Sequence, residues 1–290
     1  MPSSSLPLHS QHQRTYHENK FVYPVLSRRS KGVSIGVNLN PDKICNFDCI
    51  YCQVDRREES ETRFVGLDQL LDELDHMLKI VLSGEIYQDA KFSEIPLKLR
   101  RLNDIAFSGD GEPTTYRNFD QIVKEVADLK QKHQADQVKM VLITNASMLH
   151  RASTQAALKI FDEHQGEIWA KLDAGTESYF KTVDRTKIHF TQILENIAFA
   201  AKQRPIVIQS LFMRINQEPP SAAEIDAYCA RLNEVLKSGG EIKLVQVYTI
   251  ARRTTEDYVA SLSSAQVDQI ASKVKEQTNL ATEVYYGNAD

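Results

Sequence analysis

Cys45, Cys49 and Cys52, spaced C-x3-C-x2-C with Tyr51 immediately before the last, are the residues of this 290-residue chain best suited to chemistry. Thiolates so close in sequence can converge on one iron–sulfur cluster. A four-iron cubane held by three of them keeps one iron open to a ligand other than protein, and an open iron is reactive. A zinc site ordinarily takes four ligands, often two C-x2-C pairs or cysteines with nearby histidines, and neither pattern stands near Cys52. A disulfide framework is disfavoured because Cys229 is the only other cysteine. Cys229 sits in Ala227-Tyr228-Cys229-Ala230 on an expected amphipathic helix, where a lone cysteine reads as a small buried apolar residue.

A second stretch, Phe107-Ser108-Gly109-Asp110-Gly111-Glu112-Pro113-Thr114-Thr115, directly follows an expected strand. Glycines at 109 and 111 allow backbone angles and a close ligand approach that side chains would prevent. Glu112 can then receive an ammonium group. Taken alone, Gly-x-Gly-Glu-Pro is also compatible with a simple turn.

These motifs must be carried by a regular scaffold, and the pattern of apolar residues supplies one. Short β-rich runs alternate with longer amphipathic stretches, as in βα units around a parallel sheet. Strands are expected near Val33–Leu39, Asp104–Ser108, Lys139–Ile143, Ile168–Leu172, Ile206–Phe212 and Glu241–Tyr248. Helices are expected near Leu67–Leu82, Phe119–His133, Arg151–Phe161, Phe190–Gln203, Ser221–Lys237 and Ser264–Glu276, and a last short strand covers Thr282–Tyr286. The first helix shows the three-and-four spacing of a core stripe in Leu67, Leu70, Leu71, Leu74, Met77 and Leu78. Three regions follow: a flexible tail over 1–29, a core domain over 30–250, and a C-terminal helix and strand over 251–290 packing on the core.

Read at period two, Ser34, Gly36, Asn38 and Asn40 share the small, polar face of their strand. Lys171 and Asp173 likewise share one face, as do Gln246 and Tyr248. In a sheet curved into a barrel these faces would line a cavity at the C-terminal strand ends. The alternative is that Lys171 and Asp173 only mark a strand's solvated end.

Composition narrows the class. A net charge of −4 gives no global positive field for nucleic acid. Local contacts with phosphate are left to the pairs Arg28-Arg29, Arg56-Arg57, Arg100-Arg101 and Arg252-Arg253. The first twenty residues lack the apolar segment and cleavage site of a signal peptide. No run of about 18 apolar residues predicts a membrane span, and free thiolates fit the reducing cytoplasm.

With Asn38-Leu39-Asn40-Pro41, Leu142-Ile143-Thr144-Asn145-Ala146-Ser147 and Lys171-Leu172-Asp173-Ala174-Gly175-Thr176, the two motifs make the chain resemble the radical S-adenosylmethionine (SAM) superfamily. The signature there is C-x3-C-x-aromatic-C. Within it, the segments look like the group related to wyosine-forming tRNA enzymes of the 4-demethylwyosine synthase kind. Asp110 departs from the usual Gly-Gly-Glu motif. The resemblance implies an α/β fold with a partial (βα)6 barrel and helices outside, and a [4Fe-4S] cluster on Cys45, Cys49 and Cys52. It also implies SAM across the strand ends, with the backbone around Tyr51 meeting adenine. The loop of Gly109, Asp110, Gly111 and Glu112 would hold the methionyl amine, and Thr144 or Asn145 the ribose or carboxylate. Reductive cleavage to a 5′-deoxyadenosyl radical would then serve hydrogen abstraction from a substrate, with Lys171, Asp173, Gln246 and Tyr248 as part of the substrate wall. A reducing donor such as flavodoxin or ferredoxin is the implied partner. Wyosine formation on tRNA is an alternative, but that family supplies a second cluster from upstream cysteines and none precedes Cys45. An electron-transfer protein without catalysis is another, and it would need a fourth ligand from Cys229.

Overall fold

Alternation of apolar strand runs with amphipathic helices produces βα repeats, and the computed structural model describes them over residues 16–252 and 254–287. Two units divide the chain. The first comprises Met1–Cys45, Glu58–Ile143 and Arg151–Glu167, and the second Asn46–Arg57, Thr144–His150 and Ile168–Asp290.

In the first unit β1 (Val22–Ser27) pairs antiparallel with β2 (Gly32–Val37). Strand β2 then runs parallel to β3 (Leu102–Phe107), and β3 to β4 (Lys139–Thr144). Helices α1 (Leu67–Leu82), α2 (Phe119–Lys132) and α3 (Ala152–Glu163) bury one stripe each. Leu70, Leu74, Met77 and Leu78 form the stripe of α1, the spacing that the sequence predicts. Phe107, Phe119 and Phe161 meet edge to face, with ring centres 5.7 and 5.5 Å apart. The segment expected as tail through residue 29 instead contains β1, with Phe21, Val22 and Tyr23 buried. Its anchor is Glu73 of α1, whose carboxylate accepts from the backbone N–H groups of Lys20, Phe21 and Val22 at 3.0, 2.8 and 3.0 Å. Residues 1–15 of that expected tail lie outside the described residues.

In the second unit β5 (Gly166–Lys171), β6 (Ile206–Leu211), β8 (Ile242–Tyr248) and β10 (Thr282–Tyr285) are parallel neighbours in that order. A separate ribbon pairs β7 (Met213–Ile215) with β9 (Val259–Ser261). Helices α4 (Glu177–Asp184), α5 (Phe190–Gln203), α6 (Ala222–Lys237) and α7 (Ser264–Thr278) complete it. Local chemistry fixes the starts of α4, α6 and α7: Thr176, Ser221 and Ser263 each accept a backbone N–H, and Ser263 with Gln266 forms a full capping box. The six predicted strands correspond to β2, β3, β4, β5, β6 and β8, and the last short one to β10. Among the described residues, no helix is long and apolar enough to cross a membrane.

Candidate active site

The first unit carries the glycine loop. Asn38, just beyond β2, organises it: its Oδ1 accepts from the N–H groups of Asn40 and Asp110, each at 3.1 Å, and its Nδ2 donates to Asp110 at 2.5 Å. Asp110, the departure from the usual motif, thus ties the loop to the strand end. A Cβ on Gly109 would fall 2.1 Å from Asn38 Oδ1, and one on Gly111 2.2 Å from the Ile44 carbonyl oxygen. Neither position tolerates a side chain without moving its neighbour. Glu112 is buried and opens a 3-10 turn over Pro113–Thr115, accepting from the Thr114 N–H at 3.2 Å and the Thr114 hydroxyl at 2.5 Å. Beside it, Asn40 donates from Nδ2 to Thr115 at 3.3 Å, while its buried Oδ1 has no hydrogen-bond partner among the described residues. An unmet buried acceptor costs about 1–3 kcal/mol; a ligand's ammonium would satisfy it. Cys45, half-buried, closes the first unit's N-terminal stretch.

Cys49 and Cys52 belong to the second unit, on a loop pinned by backbone bonds. The Cys52 N–H donates to the Cys49 carbonyl at 2.9 Å, Ile50 to Val183 at 2.9 Å and Asp48 to Asp184 at 3.2 Å. Ile50 and Tyr51 are buried with Val183, Leu211, Met213, Ile250 and Val259, and Cys49 packs against this apolar group. The two sulfurs have opposite neighbours. The Cys49 thiol donates to Asp184 at 3.3 Å, whereas Cys52 Sγ accepts from Arg56 Nη1 at 2.9 Å. Burial, then the Asp184 charge, pushes the Cys49 thiol well up; burial, then Asp173, raises the Asp184 carboxyl. Among the described residues, no three Cys, His, Asp or Glu side chains are gathered for one metal ion. An iron–sulfur cluster would ask for thiolate donors rather than for such a gathering. Soft sulfur donors suit such a group in kind, and Cys49 adds apolar neighbours.

At the strand ends of the same unit, a buried polar cluster forms. Lys171 pairs with Asp173 at 3.1 Å and donates to the Tyr248 hydroxyl at 2.8 Å. Its ammonium stands 5.0 Å from the Tyr51 ring centre and 5.3 Å from that of Tyr248. Burial alone would lower the Lys171 pKa, but Asp173 and Tyr248 more than offset this and leave it raised. Asp173 is filled on its other sides by the Tyr51 hydroxyl at 2.5 Å and the Leu211 N–H at 2.7 Å. Burial, then the Asp173 charge, holds the Tyr51 phenol well above its ordinary pKa. Gln246 is bonded instead to Gln209 on β6, at 3.0 Å. Cross-strand register explains the assembly: Lys171 faces Gln209, Gln209 faces Gln246, and Leu211 faces Tyr248.

Thr144 and Asn145 hold a tight turn. The Thr144 hydroxyl accepts from Ala146 N–H at 3.0 Å, and Asn145 accepts from Ser147 N–H at 3.0 Å while donating to Asn46 at 2.8 Å. Ala146 has a φ of 62°, a left-handed conformation rarely adopted by a non-glycine residue, and Asn196 bonds its carbonyl at 2.8 Å. Asn145, Lys171, Asp173 and Asp184 line one small pocket with Phe47, Phe180 and other apolar residues.

The basic pairs are largely engaged internally. Arg57 pairs with Asp55, Arg100 donates to the carbonyls of Ile95 and Ser93, and Arg252 to Gln53; Arg253 lies outside the described residues. Cys229 is buried on α6. Asp184 and Gln209 are not singled out by the sequence, and Arg56 is singled out only as half of the Arg56-Arg57 pair. Gln209 leaves a signal as the polar member of the Val207, Gln209, Leu211 face of β6.

A sequence profile described as the Radical SAM superfamily matches residues 39–218, more than half of the chain. A protein of Brachyspira hyodysenteriae named GTPase Obg is 25% identical over 254 residues, covering 85% of this chain and 32% of that protein. A UPF0026 protein of Helicobacter pylori is 26% identical over 216 residues, 72% of this chain and 62% of that protein. This chain therefore spans less than two thirds of the length of these relatives. The solved structure of TYW1 with a lysine-pyruvate adduct bound matches with a TM-score of 0.51 at 14% identity, covering 91% of this chain and 78% of that one. At that identity the likeness is one of fold alone, and it agrees with the expected α/β, partial-barrel class.

Proposed function

The chain belongs to the radical SAM superfamily, and from that premise we propose that it cleaves SAM reductively at a [4Fe-4S] cluster held by Cys45, Cys49 and Cys52, to abstract hydrogen from a substrate. What supports this is the C-x3-C-x2-C spacing in the sequence and, within the first unit, a glycine loop beside Asn40 Oδ1, a buried acceptor with no hydrogen-bond partner among the described residues. When bound, the cluster supplies the electron that splits a carbon–sulfur bond of SAM into methionine and a 5′-deoxyadenosyl radical. The remaining work is positioning and shielding.

Glu112 and Asn40 offer oxygen acceptors to the methionyl ammonium, and Gly109 and Gly111 let the backbone approach it closely. Asp110 holds this loop through Asn38. Tyr51 contributes its backbone to the adenine site while its side chain is fixed by Asp173. The Thr144–Asn145 turn serves the ribose or carboxylate. Lys171 has three N–H donors; with Asp173 and Tyr248 holding two of them, it presents an oriented cation to the substrate, beside the Gln209–Gln246 amide pair. A low-potential carrier of the flavodoxin or ferredoxin kind supplies electrons. The TYW1 likeness does not bring that protein's substrate with it.

Anaerobic reconstitution with iron and sulfide, then SAM and a strong reductant, tests the proposal. It expects 5′-deoxyadenosine from the unaltered chain and none from Cys45→Ala. A fully assembled, reducible cluster that yields no 5′-deoxyadenosine across candidate substrates would overturn it in favour of an electron carrier.

A further inference from the structure

The two cysteine sulfurs of the second unit differ in what faces them, and this difference bears on how easily a cluster there is reduced. Arg56 follows Cys52 by four residues and points its Nη1 at the Cys52 sulfur, 2.9 Å away. The backbone between them is anchored on both sides. Thr255 donates its N–H to the Cys52 carbonyl at 3.3 Å, Arg252 holds Gln53 at 3.0 Å, and Val54 is buried. Arg56 itself is half-buried, whereas the next residue, Arg57, is exposed and paired with Asp55 at 3.0 Å. Two adjacent guanidinium groups of equal charge thus have different tasks: one faces a thiol sulfur, the other a carboxylate at the surface.

We infer that Arg56 is a positioning residue that sets the reduction potential of the cluster, by donating a charge-assisted hydrogen bond to the Cys52 thiolate. The inference rests on the proposed cluster ligation and adds to it. Three thiolates on a [4Fe-4S] core give a net charge of about −1 when oxidised and about −2 when reduced, from simple charge counting on the thiolate frame. A donor and positive charge at the sulfur stabilise the more negative state, because hydrogen bonds to cluster sulfurs and local charge tune the potential. Arg56 therefore makes the electron easier to accept. Arginine is suited to this because its guanidinium stays protonated throughout the working pH range and its donors lie in a fixed fork.

The experiment is a potentiometric titration of the anaerobically reconstituted full chain, followed by the electron paramagnetic resonance signal of the reduced cluster. Arg56→Gln should shift the midpoint to a more negative value, Arg56→Lys should shift it less, and Arg57→Gln, which removes the same charge without touching a sulfur, should leave it near the unaltered protein. An unchanged midpoint in Arg56→Gln with iron content intact would overturn the inference. So would equal shifts in Arg56→Gln and Arg57→Gln, which would assign the effect to bulk charge. Failure of both Arg56 variants to assemble a cluster would also overturn it, giving Arg56 a role in folding the loop. If the unaltered chain itself binds no iron–sulfur cluster, the proposed function fails first, and the two failures are told apart.

Discussion

The glycine loop of the first unit and the strand-end cluster of the second solve the problem of a polar site inside a protein in different ways. Around Gly109 and Gly111 the solution is steric: backbone and two asparagines, Asn38 and Asn40, leave no room for a Cβ, and the loop's shape follows from close approach. Around Lys171 the solution is electrostatic: Lys171, Asp173, Tyr51 and Tyr248 are buried or nearly so and satisfy one another. Shape held by sterics should fail to added atoms, and shape held by charge should fail to removed charge.

The largest expected effect is therefore on the second unit. Lys171→Met leaves the Asp173 carboxylate buried without its cation and should destabilise the protein by about 3–5 kcal/mol, read by chemical denaturation. Nearly as large is a pH effect in the first unit, away from the loop. Burial, partly countered by the hydrogen bond from Ser34, lifts Asp104 to about 6. The native state then holds this proton more tightly than the unfolded chain. The associated stability is fully present below about pH 4 and is lost as pH rises through 6, a change of about 3 kcal/mol. Asp104→Asn should flatten that part of the melting profile; an unaltered slope would remove Asp104 as its source.

Next comes Gly111→Ala, whose added methyl must displace the Ile44 carbonyl, at a cost of about 1–3 kcal/mol by overpacking. Calorimetry should show SAM affinity falling more than stability does; unchanged affinity would break the steric account of the loop. The smallest effect is expected from Tyr248→Phe, which removes one hydrogen bond from Lys171 and should cost about 1 kcal/mol. Production of 5′-deoxyadenosine should persist in it while substrate turnover changes, and unchanged turnover would take Tyr248 out of the substrate wall.

Sequence legibility follows the same division. Features encoded within a few residues were readable: the cysteine spacing, the Gly-Asp-Gly-Glu loop, and α1, whose bounds match the expected Leu67–Leu82. Strand β1 was not, because Pro24 within Val22–Ser27 argues against a central strand, and its support comes from Glu73, about fifty residues away. The eight-residue α4 was missed because two turns of Glu177–Asp184 carry little periodicity. With it went Asp184, whose meeting with Cys49 spans 135 positions. At period two, Lys171 and Asp173 were legible as one face; their capture by Tyr51 and Tyr248 depends on register between strands, which spacing within one strand does not encode.

The contact between Glu73 and the backbone of residues 20–22 also sets a boundary for anyone shortening the chain. A version starting after Val22 would strip three donors from a buried carboxylate and fray the strand that follows. One starting at Tyr16 would keep them, so the usable left edge for crystallisation or display lies ahead of Lys20 rather than at the strand itself.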